Sequence, residues 1–351
     1  MASSKTTKNT SSGRNNTKSS RGGGKISPKT MTTVLLAVFV AILYYLFNSS
    51  DATPSPTAEP EGSVVQQPAP NTQSETLYAS SKKQTPAKLD IWTINYEHDA
   101  LPQTPASISS QLIRHKAYST SYNSDYKIPN WSFYELLATE TEGRLPRSDE
   151  FQPDPSIPSR QASQLTDYRG SGFDRGHMAP SMDFNWDESI ENESYYLSNM
   201  CPQDHEFNSG IWLDLEHQVR RWARRDSAIC VACGPILPCK DKDGKLINPV
   251  TGNEYHITTI GRSKVLVPEH FFKVILSPFG DHPKAIGFIM PNENVLRRDG
   301  RGNAPIKDFA YNIDRVEEIT GIDFFAILPD DVEDKIEKWY EKDDWFGKVK
   351  G

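Results

Sequence analysis

The sequence predicts an α+β domain with a mostly antiparallel central sheet and flanking helices, preceded by an N-terminal transmembrane or signal segment. Three observations support this prediction. From residue 89 onward, short apolar runs typical of buried strands alternate irregularly with amphipathic helical patterns. One uncharged apolar run lies at residues 31–47. The stretch between these two parts is rich in proline, serine and threonine, which indicates a linker.

Composition excludes several classes of protein. The chain has 351 residues, of which 36% are hydrophobic, and it contains four cysteines. A single apolar run excludes a multi-span membrane protein, and so few cysteines exclude a disulfide scaffold. The net charge of −7 divides into +7 on residues 1–30, −1 on residues 31–88 and −13 on residues 89–351. A polyanion-binding role of the acidic domain therefore requires a local basic patch.

The N-terminal segments predict a membrane anchor. Residues 1–30 form a basic cytoplasmic tail, and the 17 residues 31–47 carry no charge, which is the lower limit for a membrane-spanning helix. Basic residues before the run place the N-terminus inside, so the domain after the linker at 48–88 is exported to the periplasmic or extracellular face. The alternative is a secreted protein, although the sequence Ser50-Asp51-Ala52 matches a signal cleavage site poorly.

Within residues 89–351, periodicity predicts the individual elements. Strands are expected at 115–122 and 131–138 around turn residues 123–125, and at 229–233, 271–277 and 285–290. Helices are expected at 208–225, 306–320 and 330–340. The first of these helices buries one apolar stripe, formed by Ile211, Leu215, Val219 and Trp222.

One histidine stands out by its surroundings. His177 follows the glycines at 170, 172 and 176 and has Asp174 and Arg175 close by in sequence. On the helix about 30 residues later, a row repeats every four residues and includes Asn208, Glu216 and Arg220. An ordinary solvent-exposed helix face would carry a similar mixture of amide, acidic and basic side chains, so the helix alone does not identify a site. A histidine loop followed by an amide- and carboxylate-bearing helix predicts one.

These residues form motifs that occur together in one family. DRGHMAP around His177, the following SNMCPQ, and N-x3-W-x2-LE from Asn208 resemble the DNA/RNA non-specific endonuclease family. This is the endonuclease G-like branch of the ββα-metal (His-Me finger) nucleases. Upstream, YKIPNWSFYELL and the R-x3-F-x2-D segment from Arg147 are similar to the family, as are FFKVILSP, AIGFIMPN and ITGIDFFAILP downstream. The resemblance covers roughly residues 89–340.

The resemblance implies a ββα-metal finger and a metal-dependent endonuclease that hydrolyses DNA and RNA without sequence preference. His177 matches the family's general base, a role that a neutral imidazole performs near physiological pH. Asn208 matches the direct protein ligand of a single Mg²⁺ or Mn²⁺ ion. Glu216 lies eight residues later, about 12 Å along a helix axis, so we expect it to reach the ion only through a water molecule.

The resemblance also assigns residues to the substrate and to support of the site. Arg147 and Arg220 match arginines that contact the scissile phosphate, a task suited to the forked guanidinium. Asn199 resembles an active-site asparagine that supports the metal and the histidine. Arg175 is expected to contact backbone phosphate, and Asp174 to position the loop. Such a site contacts phosphates and no base edges. Its affinity for nucleic acid should therefore be modest, salt-sensitive and assisted by metal. Protein partners are not predicted.

Two other functions agree with the same residues. One is a catalytically silent, membrane-tethered nucleic-acid-binding domain, and the other is a phosphodiesterase that acts on small nucleotides. The cysteines leave alternatives open as well. Cys230, Cys233 and Cys239 have a spacing that permits zinc, a Cys233–Cys239 disulfide or buried free thiols, and no fourth zinc ligand lies at a convincing distance. Cys201 has no activating partner in sequence that would make it a nucleophile.

Overall fold

The computed structural model describes residues 94–279, 282–297 and 299–347. The basic tail, the apolar run at 31–47 and the whole of the predicted linker at 48–88 therefore lie outside the described residues. Within the described part, no helix combines the length and the apolar character that crossing a membrane requires. Membrane anchoring and export accordingly stay predictions.

The described chain contains thirteen strands and eight short to medium α-helices. The strands are β1 Gln111–Arg114, β2 Ser119–Asn123, β3 Ile128–Leu137, β4 Asp174–His177, β5 Met200–Gln203, β6 Ala228–Ile236, β7 Cys239–Lys240, β8 Leu246–Ile247, β9 Thr259–Ile260, β10 Val265–Leu266, β11 His270–Ser277, β12 Lys284–Pro291 and β13 Ala310–Tyr311. The helices are α1 Tyr96–Asp99, α2 Leu165–Tyr168, α3 Glu188–Ser194, α4 His205–Phe207, α5 Leu213–Asp226, α6 Ile313–Thr320, α7 Asp330–Lys338 and α8 Lys342–Phe346.

The central sheet has seven strands in the order β1-β2-β3-β6-β11-β12-β13, and each neighbouring pair is antiparallel. This confirms the predicted antiparallel sheet. Its inner strands are buried on both faces, because alternate side chains enter two different hydrophobic cores. On β6, for example, Val231 joins one core and Ala232 joins the other.

The two cores are covered by different helices. On one face, α5 packs Leu215, Val219 and Trp222 against the sheet. On the other face, α6 and α7 contribute Val316 and Ile336. The domain is thus a sheet between two helical layers, and α5 is the longest helix on the face that also carries the β4–β5 pair.

The β4–β5 pair and the helix that follows it form the predicted finger. The two strands are antiparallel, with Asp174 opposite Gln203 and His177 opposite Met200. Gly176 is required here, because a Cβ at this position would lie 1.9 Å from Oε1 of Gln203. The chain then passes through α4 into the helix that carries Asn208 and Glu216. The β-β-α order places His177 and Asn208 on adjacent elements.

Three predicted elements differ from the structure. The single strand predicted at 115–122 is wrong: β1 and β2 form a hairpin whose turn occupies residues 115–118, where the His115 amide bonds to the Tyr118 carbonyl. The single helix predicted at 306–320 is also wrong. A 3₁₀ turn, Ile306–Phe309, leads into strand β13, and α6 begins only after Asn312. The predicted helix at 208–225 begins with a π-helical turn, Asn208–Trp212.

The cysteines are free thiols. Cys201, Cys230 and Cys233 are buried, whereas Cys239 is exposed on β7. The Cys233–Cys239 disulfide is therefore wrong, because the two thiols lie in different environments on separate strands. No cysteine of the described chain belongs to a cluster able to hold a metal.

Candidate active site

A polar pocket of about 520 Å³ lies beside the finger. Four of the residues expected in the site line it: Arg147, Asp174, Arg175 and Asn208. A further arginine, Arg169, and several aromatic side chains complete the wall. The pocket therefore combines cationic and aromatic groups, which suits a phosphate with an attached base.

His177 lies next to this pocket, held by aromatic rings. Its imidazole is 5.0 Å from the ring of Tyr195 and 5.6 Å from that of Phe151, measured between centroids. The guanidinium carbon of Arg175 lies 3.9 Å from the Phe151 centroid, on the pocket side. These contacts fix the ring without using its nitrogens.

Electrostatics keep this imidazole neutral. Burial, as the larger cause, and the positive charges of Arg147 and Arg175 together lower the pKa of His177 to about 3. Its Nε2 atom is buried and has no hydrogen-bond partner among the described residues. A neutral imidazole keeps one nitrogen lone pair, so this ring is able to accept a proton from a bound molecule.

Asn208 is placed by an unusual backbone. The π turn Asn208–Trp212 inserts an extra residue before α5, and Gly210 in it has φ −105° and ψ −113°, outside the helical range. The side chain donates from Nδ2 to Oδ2 of Asp174 over 3.0 Å. This bond turns Oδ1 away from Asp174 and leaves the amide oxygen available to a cation.

Asp174 thus orients the side chain of Asn208. The same Oδ2 atom lies 2.9 Å from Nδ1 of His205, an exposed histidine at the start of α4. The hydrogen bond to Asp174, together with its charge, raises the pKa of His205. Sequence analysis did not single out His205, although its position three residues before Asn208 was a usable signal.

Glu216 and Arg220 lie deeper along α5. Burial raises the pKa of the Glu216 carboxyl, and the positive charges of Lys273 and Arg220 oppose that shift. Arg220 donates to Oδ1 of Asp183 over 2.7 Å, and its side chain is 9% exposed. The other oxygen of Asp183 accepts from the Tyr134 hydroxyl at 2.7 Å. Arg220 therefore lies in a buried ion pair and does not line the pocket.

Asn199 is not part of the pocket wall either, because it is fully buried. Its Oδ1 accepts from the Ala179 amide and the Ser132 hydroxyl, and its Nδ2 donates to the carbonyls of Ala179 and Ser194. This set of bonds ties the turn after His177 to β3 and α3. Asn199 is accordingly placed to support the histidine loop.

Sequence analysis missed three other residues that shape the site. Asp183 neutralises Arg220, and Arg169 adds a cation to the pocket wall. Lys273 on β11 is completely buried, with Nζ 4.6 Å from the centroid of the Trp212 ring. Lys273 could have been noticed in the sequence, because it is the one charged residue in the apolar run at 271–277.

The donor set fits one hard cation with few protein ligands. An amide oxygen from Asn208 and the carboxylate of Glu216 are the oxygen donors that Mg²⁺ and Mn²⁺ prefer. The group of three carboxylates close enough to hold an ion in the described chain lies elsewhere, at Asp314, Glu317 and Glu337. A cation at the finger would therefore keep open positions for water and phosphate.

Comparison with known proteins agrees with this arrangement. The family model for DNA/RNA non-specific endonucleases matches residues 100–331. The chain is 36% identical to "Nuclease C1" of Cunninghamella echinulata var. echinulata over 224 residues, covering 62% of this chain and 83% of that protein. It is 31% identical to human "Endonuclease G, mitochondrial", covering 61% of this chain and 69% of the relative. For human "Nuclease EXOG, mitochondrial", identity is 34%, and the match spans 60% of this chain and 56% of the relative.

A solved structure shows the same fold. It is titled "Crystal structure of the EndoG/EndoGI complex: Mechanism of EndoG inhibition", and it matches with a TM-score of 0.54 at 36% identity. The match covers 62% of this chain and 86% of the other. Because the family model spans well over half of the chain and the finger motifs lie where the fold requires them, the chain belongs to the DNA/RNA non-specific endonuclease family and is an endonuclease.

Proposed function

We propose that this chain is a metal-dependent, sequence-non-specific endonuclease that hydrolyses phosphodiester bonds of DNA and RNA. The observation that supports this most directly is the junction of β4 with the π turn. There a neutral His177 with an unpartnered buried nitrogen neighbours a pocket lined by Asn208, Arg147 and Arg175. Base, cation ligand and phosphate-binding groups thereby converge on one place.

In the proposed reaction, His177 takes the proton from the attacking water. Tyr195 and Phe151 hold its ring in place, and Asn199 fixes the turn behind it. Arg147 and Arg175 each add positive charge near the imidazole. When a phosphodiester binds to these arginines, its negative charge offsets theirs, and the pKa of His177 rises toward the range where it acts as a base.

A cation at this site would be held by Oδ1 of Asn208, which Asp174 orients, and by Glu216 through water. When bound, the ion stabilises negative charge on the phosphate and on the departing oxygen. The Arg147 side chain is 53% exposed and interacts with Asp149 and Tyr195 at the pocket, so it can turn to a substrate phosphate. Arg220 is proposed to act on the phosphate as well. Because Arg220 is bonded to Asp183 in the structure, its positive charge would act on the phosphate from behind the pocket wall.

A plasmid-nicking assay tests this function. The full-length chain is incubated with supercoiled plasmid or with structured RNA, in Mg²⁺, in Mn²⁺ and in chelator. Cleavage of both polymers with either metal and none with chelator is expected. The His177→Ala variant should lose at least about 100-fold in rate, the usual contribution of a general base. Circular dichroism should show that the fold is retained.

A matched histidine variant provides the control. His98 is exposed on α1, where its near neighbour is Glu97 at 3.9 Å, so His98→Ala should leave the rate unchanged. Substantial metal-dependent cleavage by His177→Ala would contradict the assignment. Binding of plasmid without any cleavage by the parent chain would instead indicate a silent nucleic-acid-binding domain. Cleavage restricted to dinucleotides would indicate a small-nucleotide phosphodiesterase.

We further propose that residues 31–47 anchor the chain in a membrane and place the domain on the exported face. The support is the uncharged 17-residue run between a basic tail and a proline-rich stretch. In cells, the full chain should stay in the membrane pellet after alkaline extraction, whereas a chain lacking residues 31–47 should be released. Recovery of the full chain as a soluble protein of reduced mass would indicate signal cleavage instead.

A further inference from the structure

A second polar groove, of about 350 Å³, runs along the outer side of α5. We name it the distal groove, and its lining includes His217, Gln218, Arg221, Arg297, Asn303 and Lys307. We propose that the distal groove binds backbone phosphates of the nucleic-acid strand beyond the cleaved bond. The inference deepens the proposed nuclease function and rests on it.

The groove collects cations that have no acidic partner. Arg221 bonds through Nε and Nη2 to Oε1 of Gln218, at 3.0 and 2.6 Å, which is a neutral acceptor. Within the described residues, neither Arg221, Arg297 nor Lys307 forms an ion pair. The groove carboxylate is Asp214, and its Oδ2 accepts from Nδ2 of Asn303 over 2.7 Å.

Several cations elsewhere on the domain do form ion pairs. Arg225 bonds to Asp226, Arg315 to Glu318 and Lys338 to Asp334. Residues 89–351 carry a net charge of −13, so acidic partners are abundant. Cations that remain unpaired in one groove of an acidic domain leave a local positive potential, which is the form that a phosphate-binding surface takes.

The wall opposite α5 is tied to the catalytic segment. The Asp204 amide donates to Oδ1 of Asn292 over 2.8 Å, and Asn294 bonds to Glu206. Farther on, Leu296 pairs with Asn303, whose side chain would lie 3.2 Å from a Cβ at Gly210. The segment that carries Arg297 is therefore anchored at both ends beside the π turn of Asn208. Its position relative to the cation site is fixed rather than left to a free loop.

Distances along α5 agree with a continuous strand. Arg221 is five residues beyond Glu216, about 7.5 Å along the axis, which corresponds to about two base steps of 3.4 Å. It is one residue beyond Arg220, about 100° around the helix toward solvent. On the other side of Asn208, the active-site pocket offers Arg169 and Arg175. A strand that crosses the cation site would thus meet positive charge on both sides.

The chemistry of the groove favours phosphate over base. Arginine, lysine and the amide side chains are donors to phosphate oxygens, and the aromatic side chain in the lining, Phe346, is packed against the hydrophobic core. Contacts of this kind hold the strand without reading its sequence. The distal groove is therefore expected to increase affinity for long polymers and to have little effect on discrimination between bases.

Binding in the absence of metal tests the proposal separately from catalysis. A fluorescein-labelled 30-base-pair duplex is titrated in chelator with the full-length chain and with a triple variant, Arg221→Gln, Arg297→Gln and Lys307→Gln. The dissociation constant should rise at least tenfold. The slope of log affinity against log salt should decrease by about 2 to 3, because each phosphate contact contributes about 0.9.

A charge-matched control removes cations from the opposite face of the sheet. Arg315→Gln with Lys335→Gln and Lys338→Gln changes the net charge by the same amount on α6 and α7. An equal loss of affinity in both variants would overturn the proposal, because the lower net charge alone would then explain the loss. Unchanged duplex affinity in the groove variant, with lost binding to anionic phospholipid vesicles, would also overturn it and identify a membrane-facing patch.

Turnover supplies the second readout. With Mg²⁺, the ratio of kcat/KM for the duplex to that for thymidine 5′-(p-nitrophenyl phosphate) should fall at least fivefold in the groove variant. An unchanged ratio would contradict the proposal. Lack of cleavage by the parent chain would count against the nuclease function alone, since the metal-free titration remains interpretable.

Discussion

His177, the proposed general base, occupies a position that suppresses its basicity. Burial and two neighbouring arginines lower its pKa to about 3. The same arginines are the groups that a phosphate would occupy. The substrate therefore supplies the charge that the histidine lacks, and proton transfer becomes favourable only when the pocket is filled. In an empty pocket the side chain is inert.

The depressed pKa of His177 makes the unoccupied fold sensitive to acid. In the unfolded chain this group titrates near 6.5, whereas in the fold it does so near 3. Between these values only the unfolded chain binds the proton, so the free energy of unfolding falls as pH drops from about 6.5 toward 3. His177→Gln should show a shallower decrease from pH 7 to pH 4 in urea titrations with chelator. Identical slopes for the variant and the parent chain would contradict the pKa of His177.

Some residue roles can be predicted from the sequence and others cannot. The motif around His177 and the spacing of Asn208 and Glu216 identify the chemistry, because those residue types are required locally. The ion pair of Arg220 with Asp183 is a different case. These two residues are 37 positions apart and meet only through tertiary packing. The sequence therefore assigned Arg220 to the phosphate without showing that a carboxylate already holds it.

At the level of elements, the finger depends on the close approach of β4 to a side chain of β5. The Gly176→Ala variant would place Cβ 1.9 Å from Oε1 of Gln203, which is buried. We expect a loss of stability of about 1–3 kcal/mol from overpacking, together with lower activity as His177 shifts. Because the clashing atoms belong to a side chain, adding Gln203→Ala should restore much of both.

The double variant is the critical comparison for the finger. Urea denaturation and nicking rates are measured for Gly176→Ala, Gln203→Ala and the pair. Losses that simply add would show that the two residues act independently, contrary to the contact in the structure. The contact is supported if the double variant is more stable, by at least about 0.5 kcal/mol, than the sum of the two single losses predicts.

Errors in predicting the elements have local physical causes. Residues 306–320 contain a helical apolar pattern, yet Asn312 is the N-cap of α6 and Ala310–Tyr311 pair with β12 as an edge strand. The sheet edge thus overrides the helical preference of the first half. The π turn at Asn208 also follows from tertiary contacts, since Gly210 lies against Asn303. Neither contact is encoded in periodicity.

At the level of the whole molecule, the layer opposite the active site contains crowded acids. The ligand oxygens of Asp314, Glu317 and Glu337 lie within 4.8 Å of one another. Burial and neighbouring carboxylates raise the pKa of Glu317 to about 7 and that of Glu337 to about 9. The fold therefore binds protons here that the unfolded chain releases near 4.5, and stability is lost as pH rises through this range.

Replacing Glu337 should reveal this effect. Glu337→Gln removes one charge from the crowded set, so the free energy of unfolding at pH 8 should increase and its dependence between pH 5 and pH 8 should flatten. Glu142→Gln, at an exposed position outside the cluster, should change neither quantity. Urea titrations at four pH values decide the matter. A less stable Glu337→Gln variant at pH 8 would show that the carboxylate is favourably held.

The overall architecture was the more predictable part. Apolar runs at 229–233, 271–277 and 285–290 lie inside β6, β11 and β12, because strands buried on both faces must be continuously apolar. The order of the seven strands was not predictable in the same way. It depends on β3 meeting β6 across an insertion of about 90 residues that contains the whole finger. Local pattern carries no information on such pairing.

The extra residue in the π turn has a further consequence for how this protein could change. It sets the rotation about the helix axis between Asn208, which faces Asp174, and α5, whose Trp222 is anchored in the core. Deleting one residue between 209 and 211 would restore a regular helix and rotate Asn208 by about 100° relative to α5. The fold would keep its core and its arginines while losing the cation ligand. If Asn208 holds the cation as proposed, deletion of one codon is expected to give a protein that binds nucleic acid without cutting it.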